Sequence, residues 1–195
     1  MKSLGPDFQE YEAVLHKVAA FSDPLWQKFE SVIACRPGCA QCCTAGLALL
    51  PIEAAFVLEA LRSGAAVAPE RPEVQEVATA HCVCLTSQGM CGIYAFRPLL
   101  CRTHGLPLRL PDGDLAKAPR SLRVLDEDTY TCSLNFESGR SPPPGDVLDA
   151  EKLYQLLWVV NARFCARRGI EDPNRRVALE SLLQAHQASL PSGGG

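Results

Sequence analysis

Apolar residues recur at helical spacing over much of the chain. Phe8, Tyr11, Val14, Leu15 and Val18 form one such stripe, and Leu25, Trp26, Phe29, Val32 and Ile33 form another. Between them stands Asp23-Pro24, an acidic cap followed by a residue whose missing N–H is no loss in a first helical turn. The pattern predicts helix up to Cys35, with a start at Asp23-Pro24, and Asp172-Pro173 reads as a second start of the same kind. Pro51 opens a helix through Phe56 to Leu61 that stops at Gly64; its apolar residues cover most of the circumference, which predicts a central, buried helix. Gly64 to Pro72 reads as a loop, followed by a short helix carrying Val74, Val77 and Ala78 up to His81.

The second half alternates differently. Leu106 to Leu110 and Leu122 to Leu125 have the character of two short strands around the turn residues Pro111-Asp112-Gly113. Ser141-Pro142-Pro143-Pro144-Gly145 reads as a connector, after which Asp146 can cap a helix whose stripe is Leu153, Leu156, Leu157, Val160 and Phe164, with Gly169 as its stop. The expected architecture is mainly α in a single domain: helices surrounding a cysteine-rich loop core, with one short β-hairpin. That domain would run over residues 1–187, with a core motif region at 35–136, C-terminal helices at 146–187 and a disordered tail at 188–195.

Composition narrows the function. The 195 residues are 47% hydrophobic and 21% charged, which suits a folded chain. A net charge of −3 supplies no excess of positive charge for a polyphosphate backbone, so no nucleic-acid partner is expected. The start Met1-Lys2-Ser3-Leu4-Gly5-Pro6-Asp7 has no apolar stretch behind its lysine, and Ala45 to Leu58 is interrupted by Pro51 and Glu53. A cytoplasmic chain with no membrane partner is expected. In a reducing compartment, ten cysteines point to metal or redox chemistry rather than to five disulfides.

The cysteines are clustered. Cys35-x3-Cys39-x2-Cys42-Cys43 places four thiols in nine residues, His81-Cys82-x-Cys84-x6-Cys91 follows, then Cys101, while Cys132 and Cys165 stand alone. Loops with closely spaced thiols let sulfurs approach one ion at about 2.3 Å, and distant cysteines can complete the shell. Adjacent side chains such as Cys42 and Cys43 diverge, so if both are ligands a multinuclear cluster or two separate sites is favoured. Cys82 and Cys165 read as ordinary buried thiols.

Three segments carry a resemblance: the run from Cys35 to Cys43, the string from Cys84 through Cys91-Gly92-Ile93-Tyr94-Ala95-Phe96-Arg97-Pro98-Leu99-Leu100-Cys101-Arg102, and Cys132-Ser133-Leu134-Asn135-Phe136. Together they resemble the YkgJ-like cysteine-cluster family of zinc- or iron-chelating proteins, the CxxCxxCC type, which includes flagellin lysine N-methylases. The resemblance covers roughly Cys35 to Phe136; the first gap is three residues here where the family pattern has two. It implies metal ligation by the eight family-type cysteines, Cys35, Cys39, Cys42, Cys43, Cys84, Cys91, Cys101 and Cys132, enough for two four-thiolate sites. The implied cofactor is an iron–sulfur cluster, of the 4Fe-4S type, or zinc, since both accept four thiolates.

Four thiolates around either centre leave a charge of about −2, which a guanidinium can offset while donating hydrogen bonds to sulfur. Arg97 and Arg102 are the candidates, with Tyr94 and His104 beside them. His81 reads as a helix-end residue, His16 and His186 as positions on surface helices, and Trp26 and Trp158 as core. The basic residues Arg163, Arg167, Arg168, Arg175 and Arg176 read as a solvated face. No phosphate loop, nucleophile elbow or Ser/His/Asp arrangement is present, so catalytic residues are not identifiable and an enzyme is an open reading. The expected function is a metal-binding protein with a redox or electron-transfer role. Its alternatives are a structural zinc module that binds a protein partner, or, by the resemblance, a cluster-dependent modifying enzyme such as a lysine N-methylase.

Overall fold

Five α-helices and two short sheets make up the regular structure of the described residues, a mainly α architecture. The computed structural model describes residues 3–36, 38–69, 81–110, 122–137 and 141–190. The expected helix at Val74 to Ala78 and the turn Pro111-Asp112-Gly113 lie outside them. Among the described residues no helix is long and apolar enough to cross a membrane. The chain divides into two compact units interleaved along the sequence: Met1–Gln9, Cys43–Pro98 and Asn161–Gly195 form one, Glu10–Cys42 and Leu99–Val160 the other.

The second of these units begins in helix α1 (Gln9–Lys28). Its stripe Tyr11, Val14, Leu15 and Val18 is buried, as the spacing predicts. Pro24 does not start a new helix but sits inside α1. The ring removes one hydrogen bond to the carbonyl of Ala20, which is exposed and can be solvated, and the buried Leu25 holds the helix on course. Helix ends at Lys28, earlier than Cys35, in turns closed by Val32 N–H to Phe29 O (2.9 Å) and Ile33 N–H to Phe29 O (2.9 Å).

In the same unit, β2 (Leu108–Arg109), β3 (Leu122–Val124), β4 (Thr129–Cys132) and β5 (Leu148–Asp149) form a sheet of order β3-β4-β2-β5. The expected hairpin of β2 with β3 is not formed: both flank β4, antiparallel to it. The Thr-Tyr-Thr-Cys run of β4 is fully buried and is the strand that the apolar pattern did not single out, because its Thr residues read as polar. Leu25, Leu106, Leu108 and Ala150 form its core with Phe21, Trp26, Phe29, Leu110 and Leu148 packed against them. Helix α4 (Ala150–Arg168) starts later than Asp146; Asp149 Oδ1 accepts the Lys152 N–H (3.0 Å), while Asp146 pairs with Lys28. Trp158 is 47% exposed and Leu156 is exposed too, so neither belongs to the core.

In the first unit, β1 (Ala48–Leu49) pairs antiparallel with β6 (Val177–Ala178), and helix α2 (Pro51–Arg62) packs on α5 (Leu179–Ala188). α2 is buried around most of its circumference, as expected, and its N-terminus is capped from a distance: Asn161 Oδ1 accepts the Ile52 N–H (3.1 Å). Asn161 is fully buried, and its Nδ2 donates to Pro173 O (2.7 Å). Phe56 meets Phe8 edge-on at 5.4 Å and Phe96 at 5.8 Å. Asp172-Pro173 begins a turn rather than a helix, since Asp172 Oδ1 takes the Asn174 N–H (2.9 Å). Gly169 ends α4 with φ of +65°, as its position predicts. His186 of α5 is buried rather than on the surface, whereas His16 of α1 is exposed. α5 reaches Ala188, the first residue of the expected tail; residues 191–195 lie outside the described residues.

Candidate metal centre

The leading cysteines are placed by the chain that leaves α1. Two hydrogen bonds tie that chain to the turn after β4: Ala34 N–H to Asn135 Oδ1 (2.8 Å) and Phe136 N–H to Val32 O (2.8 Å). Phe136 takes a left-handed backbone, φ +53°, a conformation costing about 1–3 kcal/mol. Its ring packs edge-on against Phe29 at 5.2 Å, which helps hold the turn. The result brings Cys35 near Cys132, although they stand 97 positions apart in the chain.

Asn135 governs the sulfur of Cys35. It is fully buried, and its Nδ2 donates to Cys35 Sγ (3.5 Å) and to the Gly105 carbonyl (2.7 Å). Gly105 lies so close that a Cβ there would stand 2.5 Å from Cys35 Sγ and 3.1 Å from the Trp26 ring. Thr131 Oγ1 also donates to the Gly105 carbonyl (3.2 Å), so β4 and the Asn135 turn grip this glycine together.

Electrostatics identifies which thiols share this environment. Burial pushes the Cys35 thiol up to about 11; the Asn135 hydrogen bond opposes the rise, and charge on Cys132, Cys39 and Cys42 adds to it. Burial likewise raises Cys132, opposed by the Leu134 N–H and by Arg123, and reinforced by Cys42 and Cys39. Arg123 is fixed by two hydrogen bonds to Ser133 O, at 3.1 and 2.8 Å. Cys39 and Cys42 therefore lie near enough for their charge to act on both Cys35 and Cys132. Cys101 and Arg102 lie half-buried on the short helix α3 (Leu99–Thr103) of the same unit. His104 follows, with Nε2 buried and unpartnered among the described residues, and burial lowers its pKa.

The other unit holds a second group. Cys82 N–H donates to Cys43 O (2.9 Å) next to a bridge between Thr44 and His81, and a bridge between Leu85 and Cys91 with Gly92 N–H to Cys84 O (2.9 Å) closes a hairpin. Its turn is sealed by Thr86 N–H to Met90 O (2.8 Å). Cys82 is therefore not an ordinary core thiol but half-buried among other cysteines. The Cys84 thiol, with the Cys84 N–H at 3.5 Å, holds Cys82 down to about 7 against burial and the charge of Glu180. Burial raises Cys91, with the Ile93 N–H and Arg97 lowering it and Cys82 raising it. Arg97 is fixed over the Tyr94 ring at 3.7 Å while its Nε donates to Tyr94 O (3.1 Å). Cys165 is buried on α4, donating to Asn161 Oδ1 (3.9 Å), as expected of a packing thiol.

The donor chemistry of both groups fits a thiophilic metal: sulfur ligands, N–H groups directed at sulfur, and one arginine beside each. The missing Cβ of Gly105 is what admits the Cys35 sulfur. Among the described residues no three His, Cys, Asp or Glu side chains stand at metal-ligand spacing. Sequence reasoning did not single out Asn135, Gly105 or Arg123 beside the candidate cysteines, although Asn135 stands three residues after Cys132, and it read Cys82, two residues before Cys84, as a packing thiol.

Comparison with known families gives one match: a CxxCxxCC family model, described as a "putative zinc- or iron-chelating domain", matches residues 34–133, about half of the chain. No curated protein and no solved structure matches the chain.

Proposed function

Because the chain belongs to the CxxCxxCC family, we propose that it is a cytoplasmic metalloprotein whose Cys35, Cys39, Cys42 and Cys132 thiolates hold an iron–sulfur cluster serving electron transfer. The observation that carries this reading is the approach of four thiols, with the Asn135 amide donating to the Cys35 sulfur and the Leu134 N–H to that of Cys132. When bound, the cluster supplies one-electron chemistry. The chain's own residues hold it and set its electrostatics. Asn135 Nδ2 donates to the Cys35 sulfur and the Leu134 N–H to that of Cys132, which stabilises the thiolate forms and favours added negative charge. Arg123 offsets part of the net charge of about −2 left by four thiolates.

Cys101, Arg102 and His104 sit on or just beyond α3 in the same unit, where Cys101 can add a thiolate and Arg102 a further positive charge. Anaerobic purification followed by iron and acid-labile sulfide analysis tests the assignment. Iron and sulfide that disappear together in Cys39→Ser support it. A colourless chain that carries stoichiometric zinc in this group overturns it in favour of a structural zinc module.

A further inference from the structure

The middle of helix α4 is apolar on every side. Of the eight residues Leu153 to Val160 only Gln155 is not hydrophobic, a composition that suits a helix covered all round. The fold covers one face: Leu157 and Val160 are buried, whereas Tyr154, Leu156, Trp158 and Val159 stand between 39% and 47% exposed. Large apolar side chains grouped in this way on a surface mark an interaction site. At helical spacing Leu156, Val159, Arg163 and Arg167 follow one another along a single row, and Tyr154 and Trp158 lie one turn apart along another. Both arginines are exposed. We propose that this outer face of α4 is a docking site for an acidic amphipathic helix of a partner protein, whose apolar ridge covers Leu156, Trp158 and Val159 and whose carboxylates meet Arg163 and Arg167.

Charge decides the occupant. Arg167 stands in the last turn, where it complements the helix dipole, but Arg163 lies ahead of that turn, where the effect of the dipole has faded. The chain carries a net charge of −3, so a positive end on an apolar ridge runs against its average and favours a partner of opposite sign. The other charges of α4 have partners within the fold: Lys152 pairs with Asp149 (2.9 Å), Glu151 accepts from Gln155 (3.2 Å) and Arg168 pairs with Asp7. From Leu156 to Arg167 the row is about 16 Å long, which matches three turns of a second helix. The apolar side chains are half sunk among their neighbours and make a shallow ridge. Such a surface suits the i, i+3, i+4 and i+7 side chains of another helix better than it suits insertion into lipid. Tryptophan, tyrosine and arginine are also the residue types that dominate binding at protein interfaces. This inference is independent of the metal centre and stands whichever metal that centre takes.

The test uses the full chain and a synthetic amphipathic helical peptide with leucines at i, i+3, i+4 and i+7 and glutamates on both flanks, beside the same peptide with lysines in place of the glutamates. Tryptophan fluorescence and calorimetry read binding. The glutamate peptide should bind and shift the emission to the blue, and Trp158→Phe should remove most of that shift, with Trp26 left as the reference. Trp158→Ala should weaken binding by about tenfold or more, as truncation of a central interface aromatic does. Added salt should weaken it further. The double variant Arg163→Glu, Arg167→Glu should exchange the preference between the two peptides, a reversal that misfolding would not produce. Failure of the glutamate peptide to bind, equal binding of both peptides, or wild-type affinity in Trp158→Ala overturns the proposal. Self-association of the chain in sedimentation that Val159→Asp abolishes overturns it in favour of a second copy as the occupant. Binding to phosphatidylglycerol vesicles that Trp158→Ala abolishes overturns it in favour of a lipid surface.

Discussion

Gly105→Ala puts the smallest possible obstacle against the first cysteine group. The added Cβ would stand 2.5 Å from Cys35 Sγ, whereas ordinary contact begins near ~3.5 Å, so the sulfur must retreat by about 1 Å. A metal–sulfur bond of about 2.3 Å fixes where the Cys35 sulfur must stand, so a methyl group pressed against that sulfur should weaken metal binding. Overpacking costs about 1–3 kcal/mol, from which the lower entropy of the unfolded alanine chain recovers about 0.4–1 kcal/mol. Metal-free protein should therefore lose on the order of 1–2 kcal/mol in urea unfolding. The metal-bound form should lose more, because a 10–100-fold fall in affinity adds about 1.4–2.8 kcal/mol. The assay is a pair of unfolding curves, with and without metal, beside a chelator competition. If Gly105→Ala bound metal as tightly as the wild type and lost equal stability in both forms, Cys35 would not be a ligand held by this contact.

Asn135→Ala strands the Ala34 N–H, while the Gly105 carbonyl keeps its bond from Thr131 Oγ1, so it should destabilise the metal-free chain by about 1–3 kcal/mol and also lower metal affinity; urea unfolding and chelator competition read the two effects. Asn161→Ala strands Ile52 N–H and Pro173 O and should cost a similar amount with metal content intact, so metal loss in that variant would contradict the assignment of Asn161 to packing alone. Slight burial raises the Asp126 carboxyl, but hydrogen bonds from Thr129, Ser141 and the Asp128 and Thr129 N–H groups outweigh it and hold its pKa below the ordinary carboxylate value. A depressed pKa means stabilisation that is complete above the unfolded value and lost as pH falls through the folded one. The deficit of Asp126→Ala should therefore be present at neutral pH and vanish in acid; a constant deficit across that range would refute the argument.

Much of this was legible in the chain, for physical reasons that differ by element. The stripe from Phe8 to Val18 and the all-round apolar surface of α2 are local periodicities, so they predicted burial correctly. Asp-Pro signals misled because they are local as well: Pro24 is carried inside α1 and Asp172 spends its carboxylate on a turn. The order of β3, β4 and β2 depends on pairing between distant segments, and no hydrophobic alternation marked the buried Thr129 and Thr131. Cysteine spacing pointed to metal chelation, which the family match supports. It could not show that Gly105 must lack a side chain, or that a hairpin brings Cys82 beside Cys84 and Cys91, because those contacts arise only once remote backbone is bonded.

The central claim is an iron–sulfur cluster on Cys35, Cys39, Cys42 and Cys132, and anaerobic iron and sulfide analysis with an absorption spectrum tests it most directly. Wild-type protein should be brown, contain iron and acid-labile sulfide in equal amounts, and bleach reversibly with dithionite, and Cys39→Ser and Cys132→Ser should each remove both elements. A colourless protein with zinc but no sulfide, or iron and sulfide retained in both variants, would contradict the account.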